Sequence, residues 1–135
     1  MVQKAVTRKI MAVFAAGLGT VLAGTVYAAE LMAAGGLYAG QSQAVALCSI
    51  FNGGSAAITL SGFKILGSNG ATALQLGTTC SSTLTAGSTC RIWTGITATD
   101  TYACRVMVGP SKAAVRGTFE LRNSNQNVLG RIELR

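Results

Sequence analysis

The four cysteines carry the most specific chemistry in this 135-residue chain, which has no histidine. Cysteine thiolates can bind a metal or pair as disulfides, but no C-x-x-C motif is present, so neither a metal nor another cofactor is expected. Four cysteines allow three pairings, which the sequence alone does not distinguish. We favour Cys80–Cys90, which closes a short loop across the turn at Ala86-Gly87-Ser88, and Cys48–Cys104, which would join an early strand to a late one.

Catalytic side-chain arrangements are poorly supported. The absence of histidine excludes Ser-His-Asp and Cys-His combinations. A glycosidase needs two convergent carboxylates, and the chain has four acidic residues, Glu30, Asp100, Glu120 and Glu133. Glu120 and Glu133 fall on the expected solvent face of a C-terminal hairpin beside arginines, where solvated ion pairs explain them better. We therefore expect a protein that is not an enzyme.

A second group of side chains could bind a sugar or an anionic surface. These candidate surface-binding residues are Arg91, Trp93, Arg116, Arg122 and Arg131. Binding of a polysaccharide or an anionic surface predicts that they lie together on one exposed patch. The alternative for Trp93, which we favour, is that it covers a sheet or packs under a loop. Nucleic acid is not an expected partner, because the basic residues are scattered along the chain.

The N-terminus has the organisation of a secretory signal peptide. Lys4, Arg8 and Lys9 precede an uncharged apolar run from Ile10 to Ala29, and cleavage after Ala28 would make Ala29 the first residue of the mature chain. An uncleaved membrane anchor is the alternative, since a spanning helix needs about 20 apolar residues. Removal of residues 1–28 leaves eight basic and four acidic residues, a formal net charge of +4. We expect a secreted or periplasmic protein, where disulfides persist.

The remaining chain has the period-two alternation of short strands and no helical period. Residues 29–40 are rich in Ala and Gly and are expected to form a flexible lead-in, and residues 41–135 form one domain. The predicted strands cover residues 43–52, 56–66, 72–76, 90–96, 102–108, 115–122 and 128–134. The alternation slips by one residue at Ser61-Gly62, which predicts a β-bulge. In the last hairpin one register places Glu120 across from Arg131 and the neighbouring register places Arg116 across from Glu133.

This pattern predicts an all-β protein: an immunoglobulin-like antiparallel β-sandwich of about seven short strands after an N-terminal signal helix. The segment Cys80…Leu84-x-x-Gly87-x-x-Cys90-x-Ile92 resembles a strand-turn-strand element of bacterial immunoglobulin-like modules related to the abnormal-spindle/hydin class. Such modules are mostly non-catalytic. We therefore expect a secreted structural or binding module at the bacterial cell surface or in the periplasm. The alternatives are a subunit of a pilus-like assembly joined through edge strands and a protein that binds polysaccharide or an anionic surface.

Overall fold

The computed structural model describes residues 28–96 and 99–135. The predicted signal peptide therefore lies outside the described residues except for Ala28. The described chain forms ten strands: β1 Glu30–Ala33, β2 Leu37–Ala39, β3 Val45–Asn52, β4 Ile58–Leu66, β5 Gly77–Thr78, β6 Thr83–Leu84, β7 Thr89–Gly95, β8 Asp100–Gly109, β9 Val115–Arg122 and β10 Val128–Leu134. This part of the chain contains no helix long and apolar enough to span a bilayer.

The strands form two antiparallel sheets of five strands each. The first sheet has the order β1–β8–β4–β6, and β2 pairs with β8 beyond the end of β1. The second sheet has the order β10–β9–β3–β7–β5. The all-β architecture with two layers is as predicted. Six of the seven predicted strands are present, and four short strands at the start of the chain and around residue 80, β1, β2, β5 and β6, bring the number to ten.

The hydrophobic core lies between the two sheets. Along β7, Cys90, Ile92 and Thr94 are buried while the residues between them are more exposed. The same alternation buries Phe119 and Leu121 of β9. Burial of one side of each strand explains why the period-two signal was visible in the sequence.

Both favoured disulfides are present. Cys48 of β3 and Cys104 of β8 are both buried and join the two sheets, with a Cα–Cα distance of 6.2 Å. Cys80 and Cys90 close the ten-residue corner between β5 and β7, with a Cα–Cα distance of 4.8 Å. Gly87 at the tip of this corner has a φ of 70°, a left-handed conformation that glycine adopts without strain.

The predicted bulge in β4 is also present. The register of β4 against β8 shifts between Ser61 and Lys64, and Gly62 has a φ of 58°. The extra residue restores the inward direction of Ile65 after Leu60, so both side chains are buried.

The predicted lead-in at residues 29–40 differs from the structure, because it contains β1 and β2. Both strands pair with the long strand β8, and the small or flexible side chains of Met32 in β1, Ala39 in β2 and Ala34 between them are buried. Hydrogen bonds to β8 hold parts of residues 29–40 in strands, although their Ala- and Gly-rich sequence shows no alternation of apolar and polar residues. Its strand structure was therefore not visible in the sequence.

The predicted strand at residues 72–76 is absent as a continuous element. Thr72 makes one isolated bridge to Leu66 of the first sheet, whereas Leu76 N donates to Trp93 O of the second sheet at 2.9 Å. The hydroxyl of Thr94 donates to Leu74 O between these two points. The segment passes from one sheet to the other, which prevents a continuous ladder with either of them.

Candidate anion-binding site

Four of the five candidate surface-binding residues line one cavity of about 230 Å³ on the outer side of the second sheet. We call this surface the arginine face. It comprises Ser49, Phe51, Thr89, Arg91, Arg116, Gly117, Thr118, Glu120, Arg122 and Arg131. The side chains come from β3, β7, β9 and β10, so residues that are far apart in sequence meet on one surface.

Strand register explains this convergence. Ser49 of β3 lies across from Arg91 of β7 on one side and from Thr118 of β9 on the other. Phe51, two residues further along β3, lies across from Arg116. Directly opposed residues in a ladder have Cβ atoms about 4.5–5.5 Å apart, and residues two apart share a face. Arg91 therefore lies beside Ser49 on the β7 side of β3, and Arg116 lies beside Phe51 on the β9 side.

Glu120 is the only acid in the lining, and its position corrects the expectation of a solvated carboxylate. It is 2% exposed although it points outward. Its Oε2 accepts from Arg122 Nε at 2.8 Å and Nη2 at 2.5 Å, and its Oε1 accepts from Arg131 Nε at 2.7 Å and also from Arg131 Nη2. The two guanidinium groups cover the carboxylate and keep water away from it. Its companion Glu133 is exposed, as predicted.

The protonation of Glu120 reflects two opposing effects. Burial raises the pKa of Glu120, but the hydrogen bonds and charges of Arg122 and Arg131 together outweigh burial and hold the pKa below its ordinary value of 4.5. Glu120 is therefore ionised at neutral pH and offsets part of the charge of both arginines.

Arg91 and Arg116 are differently placed. The Nη1 atom of Arg116 donates to Ala113 O at 3.1 Å and to Val115 O at 2.9 Å, while its other nitrogens have no partner among the described residues. The Arg91 side chain makes no hydrogen bond or ion pair with any residue in 28–96 or 99–135. Both guanidinium groups thus keep free donors, and no carboxylate of the lining neutralises them.

Trp93 does not line this cavity, so the cavity brings together four of the five candidate surface-binding residues. It lies on the same outward side of β7 and is half-buried, but it leans toward the sheet edge and covers Gly77 of β5. A Cβ atom added to Gly77 would lie 2.1 Å from Trp93 Cζ2, so the indole occupies the space that the glycine leaves open. The favoured alternative, a tryptophan that covers a sheet, describes this arrangement.

Phe51 is the aromatic residue of the lining, and it was not among the predicted surface-binding residues, nor were Ser49, Thr89 and Thr118. The run from Ala44 to Phe51 reads as a strand buried on both faces, yet Phe51 is 41% exposed. Side chains alternate between the two faces of a strand, so Phe51 lies on the same face as Ser49 and opposite to Cys48 and Ile50. This alternation was the available signal that Phe51 points outward. A polar residue on the same face indicates that this end of β3 meets solvent.

The remaining acids do not meet in a second site. Asp100 lines a cavity of about 380 Å³ together with Leu74, Leu76 and Tyr102. Hydrogen bonds from Ser68 and Thr101 hold the pKa of Asp100 below its ordinary value. Glu30 accepts from Lys112 N at 2.7 Å. Among residues 28–96 and 99–135, no three His, Cys, Asp or Glu side chains are grouped to hold a metal ion.

Comparison with family models, with curated proteins and with solved structures found no match to this chain.

Proposed function

We propose that the chain is a non-catalytic, exported binding module of the bacterial cell surface or periplasm, with an immunoglobulin-like β-sandwich fold, that binds anionic polymers or surfaces through the arginine face. The observation that carries the proposal is the convergence of Arg91, Arg116, Arg122 and Arg131 around one cavity with a single acid. The lining has a formal charge of +3 at neutral pH, and the two disulfides are compatible with an oxidising compartment.

The experiment that tests this proposal is a binding titration of the processed protein with dextran sulfate, with neutral dextran and with vesicles containing anionic lipid. Binding to dextran sulfate that weakens with added salt is expected, because salt screens the charges and reduces the free energy gained when bound counterions are released. Arg91→Gln and Arg116→Gln should each weaken it. Arg105→Gln, on an exposed site of the first sheet, removes the same charge and should not. Absence of binding to every anionic probe at low salt would refute the proposal.

A second candidate, a subunit of a pilus-like assembly, is favoured by the position of β1 and β2. These first strands pair with β8, and a five-residue connection, residues 40–44, leads from them to β3. If they left, the ten-residue strand β8 would have an open edge that the same strands of a second copy could fill.

Two single-cysteine variants test this candidate. Leu31 and Met107 lie directly across from each other in the β1–β8 ladder. Chains carrying Leu31→Cys or Met107→Cys alone, when co-expressed, should form a disulfide-linked heterodimer if the strands are exchanged between copies. Leu129→Cys, exposed on β10, paired with Met107→Cys controls for random collisions. If the test pair forms no more heterodimer than the control pair, the assembly candidate is wrong.

A further inference from the structure

Phe51 forms a defined aromatic surface inside the arginine face. Its side chain is 41% exposed and lies across from Arg116 in the β3–β9 ladder. A Cβ atom added to Gly53 would lie 3.2 Å from Phe51 Cε1, so part of the ring rests against the backbone at that glycine. Phe51 lines the cavity together with Arg91, Arg116 and the three hydroxyl residues Ser49, Thr89 and Thr118.

The positive charges available to a ligand near this ring are those of Arg91 and Arg116. Glu120 engages Arg122 and Arg131, whereas Arg91 and Arg116 keep free donors. The backbone carbonyls of Ala113 and Val115 hold Arg116 through Nη1, which leaves the edge formed by Nε and Nη2 for a ligand. Two parallel donors on one planar edge match the two oxygens of a carboxylate.

We propose that this part of the arginine face is a binding site for a uronic-acid residue of an acidic polysaccharide. The inference rests on the proposed anion-binding function and names the class of ligand. The apolar side of the pyranose ring packs on Phe51, and the carboxylate attached to that ring accepts hydrogen bonds from Arg116. Arg91 and the hydroxyls of Ser49, Thr89 and Thr118 are placed to contact the hydroxyls or the neighbouring acid of the chain.

A membrane surface fits these features less well. Binding to an anionic membrane scales with the apolar area that the protein inserts as well as with charge attraction, and Phe51 is the only large apolar side chain among the described residues that line the cavity. An aromatic ring enclosed by arginines and hydroxyls in a concave site suits a ligand that has both an apolar ring face and a charge. Uronic acids combine the two, whereas phosphate and sulfate groups alone do not.

The test compares an oligogalacturonate with the same oligosaccharide after chemical reduction of its carboxylates, and with dextran sulfate, by isothermal titration calorimetry. The wild-type protein should bind the oligogalacturonate and lose at least about tenfold in affinity for its reduced form. Phe51→Ala and Phe51→Leu should each weaken oligogalacturonate binding about 3- to 10-fold, which corresponds to the usual contribution of a packed aromatic ring. Binding of dextran sulfate should remain within about twofold of the wild type.

Arg116→Lys tests the planar donor edge, since lysine keeps the charge but offers no paired donors. It should weaken oligogalacturonate binding about tenfold. The matched controls are Tyr38→Ala, an aromatic residue exposed on β2, and Arg105→Gln on the first sheet, and neither should change the affinity. Thermal unfolding of each variant verifies that the fold is intact.

The outcomes separate this inference from the proposed function. Selective loss of oligogalacturonate binding in the Phe51 and Arg116 variants supports the inference. Binding to dextran sulfate or anionic vesicles without preference for the oligogalacturonate, or without dependence on Phe51, overturns the uronate site and leaves the anion-binding function in place. Absence of binding to the oligogalacturonate, to dextran sulfate and to the anionic vesicles of the first titration overturns both.

Discussion

Arg131 of β10 lies directly across from Glu120 of β9, and its Nε atom donates to the Glu120 carboxylate at 2.7 Å. Arg122, two residues along β9 from Glu120, engages the other carboxylate oxygen. One carboxylate therefore ties two strands and two arginines of the outer sheet face together. The cluster selects the first of the two hairpin registers allowed by the sequence, and it leaves Arg91 and Arg116 as the arginines available to a ligand.

Replacement of Glu120 by glutamine should destabilise the protein by about 1–3 kcal/mol, because Arg122 and Arg131 both lose their charged partner and the new amide nitrogen faces one of the two guanidinium groups. Urea unfolding at pH 7 measures the change. Glu133→Gln, which alters an exposed acid on the same hairpin, is the matched control and should change the free energy of unfolding by under about 0.5 kcal/mol. Equal effects of the two variants would contradict the role given to the cluster.

Stability should also depend on pH through Glu120. Its folded-state pKa lies below its ordinary value of 4.5, so the carboxylate stabilises the fold above that pH and this contribution is lost as the pH falls through the lowered folded-state pKa. The free energy of unfolding of the wild type should decrease between pH 6 and pH 3. Glu120→Gln should decrease less over the same range, and a parallel decrease of the two proteins would show that other groups are responsible.

Asn52 should be the most sensitive polar residue of the core. It is fully buried, and its Nδ2 donates to Ala56 O at 2.8 Å and to Leu84 O at 3.1 Å, while its Oδ1 accepts from Gly54 N at 3.0 Å. Asn52→Ala should cost about 2–4 kcal/mol, because two carbonyl groups and one amide lose their partner.

Asn52→Asp should cost more at pH 7 than at pH 4, since an ionised oxygen would then face two carbonyl oxygens. Chemical denaturation at both pH values measures this difference. Asn69→Ala serves as control: Asn69 also accepts from a backbone amide two residues on, Ala71 N at 2.8 Å, but is exposed. A loss at Asn52 no larger than the loss at Asn69 would show that the buried bonds contribute little.

Gly77→Ala should displace Trp93, because the new methyl group would lie 2.1 Å from the indole. We expect a loss of about 1–3 kcal/mol and a shift of the emission of this single tryptophan toward that of an exposed indole. Gly35→Ala, whose nearest contact would be 3.6 Å, is the control. In the double variant Gly77→Ala/Trp93→Val the loss in free energy of unfolding should be smaller than the sum of the two single losses. An additive loss would show that the cost of Gly77→Ala does not come from a clash with the indole.

The two disulfides should contribute unequally to stability. In the chain-entropy model, a loop of 56 residues closed by Cys48–Cys104 is worth about 4 kcal/mol and a loop of ten residues closed by Cys80–Cys90 about 3 kcal/mol. The double variant Cys48→Ala/Cys104→Ala also opens the core between the sheets and should lose more than Cys80→Ala/Cys90→Ala. Thermal unfolding ranks the two, and peptide mapping without reduction verifies both bonds. The reverse ranking would contradict this comparison.

The sequence by itself determined the local features that each have a strong physical cause. Period-two burial identified the main strands, a phase slip identified the bulge at Gly62, and the turn between Cys80 and Cys90 indicated their pairing. These features depend on residues close in sequence, or on one face of a strand being apolar. The strands β1 and β2 were not predicted, because they form by pairing with β8, about 70 residues away in sequence.

Only the tertiary structure decided which outward side chains share a surface. Neighbours on a sheet face are set by strand order and register, so Arg91, Phe51 and Arg116 meet because β7, β3 and β9 are adjacent in the second sheet. The same register buries Glu120 under two arginines and turns Trp93 toward Gly77. The alternation of apolar and polar residues along a strand indicates only whether a side chain points inward or outward. Its neighbours on adjacent strands are set by hydrogen bonds between segments that are distant in sequence.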